Sequence, residues 1–261
     1  MNDVQPMSAE FPAQRGWVRR TGVLAALGLV SVLSLLMRPI PSALLEANAA
    51  LSSLPPPVLS ALMMLNPLIL VLIGTALGAA LAHRVGLKSI LAGTAPASGI
   101  ARPLFHAVAI GFVLGGAIVL ADGVLAPALG DTWQQLRQQT PAPSGSSLAI
   151  GVLYGGIAEE IMMRWGLMSL LVWLLIKGIP NGGRIFVYWS AITLAALAFG
   201  AAHLPALAAE LVPTPAIILR TLLLNGIAGM LYGWLFWRYH LEASMAAHAA
   251  THLGMAAALM V

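Results

Sequence analysis

Long apolar stretches are the feature of this sequence that most restricts its fold. A helix needs roughly 20 mainly apolar residues to cross the hydrocarbon core of a bilayer, and seven windows approach that length. Because backbone groups in lipid must form their hydrogen bonds within the segment, the windows predict an all-α fold, a polytopic transmembrane helix bundle of about seven to eight spans. The windows are Thr21 to Met37, Val58 to Ala82, Leu104 to Leu125, Leu148 to Ile176, Ile185 to Leu207, Pro215 to Trp237 and Ala243 to Val261.

The composition excludes a soluble globular domain. Of 261 residues, 59% are hydrophobic and only 8% are charged, and the mean hydropathy is +0.89. A soluble domain carries a more charged surface. The chain has no cysteine, which excludes disulfides, thiolate metal ligands and a cysteine nucleophile. The formal charge of +4 and the pI near 10 do not indicate nucleic acid, so the predicted partner is the lipid bilayer.

The basic residues fall mainly on one side of the predicted bundle. Cytoplasmic loops carry an excess of Lys and Arg, so residues 1–20 are predicted to be a cytoplasmic N-terminal tail and residues 21–261 a single transmembrane domain. With seven spans, the C-terminus would lie outside. The Ala- and Leu-rich composition is typical of bacteria, and the predicted location is the bacterial inner (plasma) membrane. Only Arg38 and Arg137 lie on the outer side, whereas the cytoplasmic side holds Arg15, Arg19, Arg20, Arg84, Lys88, Arg102, Lys177, Arg184 and Arg238.

The fourth window is unusual in its length and in its charges. Leu148 to Ile176 is longer than a bilayer requires, so this helix is predicted to tilt, protrude or break, with Gly166 as the candidate break. Within it, the segment "EEIMMR" contains Glu159, Glu160 and Arg164. A charged side chain at the bilayer centre costs roughly 2.5–3.5 kcal/mol, so such charges persist where pairing or function compensates them.

The spacing of these three residues indicates that the two glutamates have different roles. Glu160 and Arg164 stand at i and i+4 with the acid first, the favourable order for an ion pair within a helix. Glu159 points about 100° away around the helix, so it cannot share that pair fully. One carboxylate is thereby neutralised, and the other is available as a general base toward water. The alternative is that all three residues only hold helices together.

Histidines mark the two other late windows that carry chemistry. The fifth contains "FGAAH", with Phe199 and His203 one turn apart, and the seventh contains "HAATH", which places His248 and His252 on one helix face. A lone buried histidine is more often a packed core residue, and a His pair without a Glu inside the motif is weak evidence for zinc. Asp122 and Arg220 are predicted to pair or to line a cavity. Four glycine pairs at i, i+4 predict close helix packing: Gly74/Gly78, Gly111/Gly115, Gly151/Gly155 and Gly229/Gly233.

The motifs "EEIMMR", "FGAAH" and "HAATH", in this order on successive late helices, resemble those of the CAAX protease and bacteriocin-processing (CPBP) family. This family is also called the type II CAAX prenyl endopeptidase family, and its motifs are EExxxR, FxxxH and HxxxN or HxxxD. The resemblance covers about residues 148–261, which would be the catalytic region. The first three windows match only in being hydrophobic.

The resemblance implies a role for each motif residue. Glu159 would activate water, His203 would position it, and His248 with His252 would stabilise the oxyanion. Glu160, Arg164 and Phe199 would support them. His252 departs from the family pattern, although an imidazole can also donate a hydrogen bond to an oxyanion. No cofactor is implied, and the alternative is a zinc-dependent membrane protease that uses the same Glu and His side chains as ligands.

The implied function is that of an intramembrane glutamic endopeptidase. It would hydrolyse a peptide bond near the membrane, and its partner would be a membrane-associated protein or peptide that is membrane-anchored, lipid-modified or sorted. Two other functional classes remain as alternatives. In an ion-coupled carrier, the buried carboxylates and histidines would relay protons or bind a cation. A catalytically silent immunity or scaffold protein would tolerate replacement of Glu159.

Overall fold

The computed structural model describes residues 16–40, 45, 49–140, 142–179 and 183–260. Over these ranges the chain forms helices and no strand, which confirms the predicted all-α helix bundle. Most of the predicted tail, residues 1–15, and the last residue of the seventh window lie outside the described residues. The main helices are α1 (Trp17–Leu33), α2 (Pro56–Leu81), α3 (Ala101–Leu129), α4 (Asp131–Gln139), α5 (Gly145–Gly178), α6 (Arg184–Ala202), α7 (Pro215–Arg238) and α8 (Leu241–Leu259). Single helical turns lie at Ser34–Met37, Ala49–Ser52, Ala82–Val85 and Leu204–Ala208.

Six helices of the described chain are long and apolar enough to cross a membrane, and the protein is an integral membrane protein. They correspond to the first six predicted windows. The seventh window forms α8, which is not among the six because Glu242, His248 and His252 make it less apolar. Most of its side chains are instead buried against other helices. The six spans are Arg20–Met37, Pro56–Val85, Ala101–Leu129, Gly145–Gly178, Arg184–Ala208 and Pro215–Arg238.

The long fourth window forms one continuous helix, α5, so of the three predicted alternatives (tilt, protrusion or a break at Gly166) the break does not occur. Gly166 instead lies against Gly74 of α2, where a Cβ atom would collide with backbone. The absence of a side chain on both residues lets the two helices approach closely. From Gly151–Glu159 and from Ile161–Met168, α5 is π-helical, a wider coil that is frequent at functional sites.

Local sequence signals set the starts of α7 and α8, the helices that carry much of the site. Thr214 precedes α7 and its hydroxyl accepts a hydrogen bond from the Ile217 N–H, while Pro215 occupies the first helical turn. His240 precedes α8, and its ring accepts a hydrogen bond from the Ala243 N–H at 3.2 Å. Both helices therefore begin where their first N–H groups find side-chain partners.

The two ends of the bundle differ in charge. At one end, here called the basic end, Arg20 lies 3.1 Å from the His83 ring, and the Leu241 N–H donates to the Lys88 carbonyl at 3.0 Å. α4 and the start of α5 lie at the opposite end, where Arg38 and Glu210 are 4.0 Å apart. The basic end carries most of the Lys and Arg residues of the described chain, namely Arg20, Arg84, Lys88, Arg102, Lys177, Arg184 and Arg238.

Candidate active site

The four residues expected to take part in catalysis line one cavity. This inner cavity has a volume of about 330 Å³ and lies between α3, α5, α7, α8 and the end of α6. Glu159 contributes from α5, His203 from the turn after α6, and His248 and His252 from α8. The fold thus brings together side chains that are up to 93 residues apart in the chain (252 − 159).

Glu160 lies beneath the cavity and is fully buried. Its Oε1 is 3.0 Å from Arg164 Nη1 and 2.8 Å from His248 Nδ1, and its Oε2 accepts a hydrogen bond from the Ser244 hydroxyl. An ionised carboxylate only accepts hydrogen bonds, so His248 donates through Nδ1. Glu160 therefore fixes the ring orientation of His248 in addition to pairing with Arg164.

Arg164 is held from several sides. Its Nη2 donates to the Gly229 carbonyl at 3.1 Å, and its guanidinium lies 4.7 Å from the Phe199 ring centre and 5.2 Å from that of Tyr232. A cation over an aromatic face is stabilised by about 0.5–2 kcal/mol, with the larger value where water is excluded. Phe199 thus stabilises the arginine that neutralises Glu160, which gives this motif residue a physical task.

Glu159 faces the cavity instead of the protein interior. Its side chain is 17% exposed, whereas that of Glu160 is 0% exposed. Glu159 Oε2 lies 3.9 Å from His248 Nε2, which is too long for a direct hydrogen bond. A polar pair at this separation is suited to a bridging water. The two adjacent glutamates therefore have separate environments, one structural and one facing the space where a substrate can bind.

The histidines of α8 belong to a column of stacked rings. Tyr232 stacks on His248 with ring centres 4.5 Å apart, and His248 stacks on His252 at 5.1 Å. The Tyr232 hydroxyl donates to Thr251 at 2.8 Å, and Thr251 donates to the Ala247 carbonyl at 2.9 Å. This column keeps His248 Nε2 on the side of Glu159.

His203 is oriented by its own helix. Its Nδ1 lies 2.8 Å from the Phe199 carbonyl, and because a carbonyl oxygen only accepts, Nδ1 is the donor. Its other ring nitrogen is thereby left as an acceptor when the ring is neutral. The edge of the ring also packs against Phe199, with ring centres 4.7 Å apart.

Sequence reasoning missed several members of this site. Ser244 precedes His248 and His252 at the same i, i+4 spacing, so the sequence could have predicted that it lies on the same helix face. Tyr154, Tyr232 and Thr251 also line the cavity, but no sequence signal distinguishes them from other residues of the spans. Asn225 lines it too and donates to the Thr221 carbonyl at 2.9 Å, so part of its amide group remains available to the cavity.

Comparison with protein-family models gives a match over part of the chain. Residues 142–254 match the family model described as Type II CAAX prenyl endopeptidase Rce1-like. This region, which is less than half of the chain, is similar to that family. The similarity is to CAAX-type intramembrane proteases, which act on membrane-associated substrates. A search of curated proteins and a search of solved structures found no significant match.

The Rce1-like region makes room for His252 with two glycines. Gly151 and Gly155 were predicted to allow helix packing, and the atoms that they face belong to the His252 imidazole. A Cβ atom would lie 2.8 Å from this ring at Gly151 and 2.5 Å from its Nε2 at Gly155. An alanine at either position therefore requires the imidazole to move.

Gly155→Ala is expected to lower peptide hydrolysis by about tenfold to a hundredfold, because small displacements of a site residue have effects of this size. Adding His252→Asn, which shortens the clashing side chain, is expected to restore much of the rate. Gly116→Ala is the matched control, since nothing lies within 4 Å of the added methyl group there. Steady-state rates of these proteins and of His252→Asn alone measure the effect, and a double variant that is as slow as Gly155→Ala, although His252→Asn alone is active, would disprove the steric explanation.

The stacked rings of the Rce1-like region also bear on the zinc alternative. In the part of the chain that the structure describes, no group of three or more His, Asp or Glu side chains is arranged to hold a metal ion. Zinc requires ligand nitrogens that converge at about 2.0–2.1 Å from one point. His248 and His252 have nearly parallel ring planes, 17° apart, and His248 Nδ1 is bound to Glu160, which leaves Nε2 of His248 as its available nitrogen. As they stand, the described side chains do not form a zinc site, and a chelator experiment decides whether activity depends on zinc.

The inner cavity lies toward the end of the bundle opposite the basic end. Its lining includes Ile150 near the start of α5, Arg220 near the start of α7 and Met255 near the end of α8, and these termini lie at that end. Glu159 and Tyr232 line its deeper part. The candidate catalytic side chains therefore lie in a cavity on the side of the bundle away from the Lys- and Arg-rich end.

Proposed function

We propose that this chain is an intramembrane endopeptidase of the glutamic type. Glu159 activates water that hydrolyses a peptide bond in a membrane-anchored, lipid-modified or sorted protein. The observation that carries this proposal is that Glu159 lines one cavity with His203, His248 and His252, while the adjacent Glu160 is neutralised by Arg164. A free carboxylate beside hydrogen-bonding imidazoles is the arrangement that general-base hydrolysis needs.

The proposed reaction needs only the chain's own residues and water. Glu159 removes a proton from water as the water oxygen bonds to the peptide carbonyl carbon, and His203 orients that water through its acceptor nitrogen. His252, and His248 when both of its ring nitrogens carry protons, donate hydrogen bonds to the carbonyl oxygen as it becomes negative. Glu159 then passes the proton to the leaving nitrogen as the C–N bond breaks, giving a carboxylic acid and an amine, and transfer of the acid proton to the amine leaves a carboxylate and an ammonium group.

The test compares wild type with Glu159→Gln in membranes, using candidate membrane-anchored substrates followed by mass shift, with and without a zinc chelator. The proposal expects processing by wild type that the chelator leaves unchanged and that the variant lacks. Processing that the chelator abolishes would replace it with a zinc-dependent mechanism. Intact processing by Glu159→Gln would favour a carrier or scaffold.

We also propose that the protein lies in a bacterial plasma membrane with its N-terminus in the cytoplasm. The basic end then faces the cytoplasm, as the excess of Lys and Arg in cytoplasmic loops requires. The inner cavity consequently opens toward the outer face, and the substrate is a peptide reached from that side.

Because the chain contains no cysteine, single substitutions can report this orientation. Ser146→Cys lies at the start of α5 and Ser98→Cys in the connection before α3, and both serines are exposed. A membrane-impermeant maleimide applied to intact cells is expected to label Ser146→Cys and to label Ser98→Cys only after permeabilisation. The reverse pattern would contradict the orientation, and the cysteine-free parent is the background control.

A further inference from the structure

A second, larger cavity adjoins the candidate active site. This outer cavity has a volume of about 850 Å³ and lies between α3, α4 and the start of α7. It shares Ile118, Arg220 and Met255 with the inner cavity. Arg220 therefore borders both spaces, and a peptide that extends from Glu159 toward the opening passes its guanidinium.

Positive charge is in excess where the two cavities meet. Asp122 accepts from Arg220 Nε at 2.7 Å on one oxygen and lies 3.2 Å from Arg137 Nε on the other. Two guanidinium groups share one carboxylate, so one positive charge is left without a negative partner in this cluster. Asp122 and Arg220 thus pair and also line a cavity, and the two predicted alternatives are both realised.

Hydrogen-bond donors are also in excess there. Each guanidinium carries five N–H groups, and one carboxylate cannot accept from all of them. The Arg220 guanidinium lies 4.6 Å from the ring centre of Trp133, which lines the outer cavity and is 6% exposed. The buried indole N–H of Trp133 has no hydrogen-bond partner among the described residues. Arg220 Nη2 also lies 2.7 Å from Asp122, so the acceptor that is missing is one for the indole N–H and for the remaining guanidinium N–H groups, in a cluster with a net positive charge.

We propose that Arg220 and Trp133 form a subsite for a carboxylate of the substrate peptide. The carboxylate is either the free C-terminus or an acidic side chain, since both present the same planar anion that a guanidinium binds well. This inference rests on the proposed function, because it concerns the substrate of the same cavity.

The position of Arg220 limits the distance between this carboxylate and the bond that is cleaved. Arg220 and Tyr232 are twelve residues apart on α7, which is about 18 Å along the helix axis. Tyr232 stacks on His248, so this length approximates the path from the subsite to the deepest part of the site. An extended peptide covers about 18 Å in about five residues. The recognised carboxylate therefore lies within about five residues of the scissile bond.

The cluster also connects α3, α4 and α7, so a purely structural role must be distinguished from substrate binding. Arg137 provides the matched control, because it pairs with the same Asp122 but lines only the outer cavity. If the cluster were only structural, Arg137→Gln and Arg220→Gln would have similar effects. If Arg220 binds the substrate, only Arg220→Gln removes the preference for an anion.

Binding is measured with the full chain carrying Glu159→Gln, reconstituted in nanodiscs of neutral lipid. The probes are three N-palmitoylated, fluorescent peptides of Ala and Leu. One ends in a free carboxylate, one in an amide, and one in an amide with a Glu side chain near the C-terminus. We expect the free acid or the Glu peptide to bind about tenfold to a hundredfold more tightly than the plain amide, as for a charge-assisted hydrogen bond.

The preference should disappear in Arg220→Gln and persist in Arg137→Gln. Equal binding of all three peptides, absence of binding, or a preference that survives Arg220→Gln would overturn the subsite. Displacement by anionic lipid without any peptide preference would assign the cluster to a lipid headgroup and would also overturn it.

Cleavage of the same peptides by the enzyme with Glu159 intact separates this inference from the proposed function. A binding preference without cleavage would retain the subsite and reject the peptidase on these probes. Cleavage without a binding preference would retain the peptidase and reject the subsite.

Discussion

Glu159→Gln is expected to slow peptide hydrolysis by about 10²- to 10⁴-fold, the range that a positioned general base contributes. The amide has nearly the same shape but cannot take a proton from water. Glu159 is partly exposed to the cavity and, among the described residues, has no ion-pair partner closer than the 3.9 Å to His248, so its replacement should leave folding nearly unchanged. Loss of rate with an unaltered unfolding transition is therefore the expected result.

Single-turnover rates and thermal unfolding in detergent measure the two properties separately. Glu210→Gln is the matched control, because Glu210 lies at the same end of the bundle and is largely exposed, 4.0 Å from Arg38. It should retain the wild-type rate. A rate loss below tenfold in Glu159→Gln would remove this residue from the reaction and leave His248, oriented by Glu160, as the candidate base.

Glu160→Gln is expected to have its main effect on stability. Removing one partner of a buried ion pair typically lowers the free energy of unfolding by about 3–5 kcal/mol, since the other charge stays buried without compensation. Arg164 is 1% exposed and would be that charge, and His248 and Ser244 would lose their charged acceptor. Activity should fall as well, because the ring orientation of His248 depends on Glu160.

A double-mutant cycle tests this explanation. Glu160→Gln combined with Arg164→Met should cost less than the sum of the two single changes, because the second removes the uncompensated charge. Denaturant unfolding in detergent gives the four free energies. A cost below about 1 kcal/mol for Glu160→Gln, or strict additivity, would show that the pair contributes little.

The sequence predicted the helical class well because the bilayer leaves few alternatives. Apolar windows of sufficient length must be helices in lipid, and six of the seven form spans. The seventh window forms α8, which is less apolar because it contains two histidines and Glu242. The sequence did not decide whether the long α5 tilts, protrudes or breaks, since it shows Gly166 but not the helix that packs against it.

The sequence was sufficient to predict which ionisable residues form the candidate site, but not how they contact one another. Charges inside apolar spans are costly, so Glu159, Glu160, Arg164 and the histidines were conspicuous. The stacking of His248 between Tyr232 and His252, and the space that Gly151 and Gly155 leave, were not predictable. Such contacts join residues of different helices, and their distances depend on how those helices cross.

The sequence by itself therefore determined that this chain is a membrane-embedded helix bundle with acids, an arginine and histidines in its late helices, because solvation in lipid acts on each segment separately. The i, i+4 spacing indicated that Glu160 pairs with Arg164, but only the tertiary structure decided that Glu160 is buried and that Glu159 faces a cavity. It also decided that this cavity lies toward the end away from the basic residues and is bordered by Arg220, since that depends on the packing of α3, α5, α7 and α8 together.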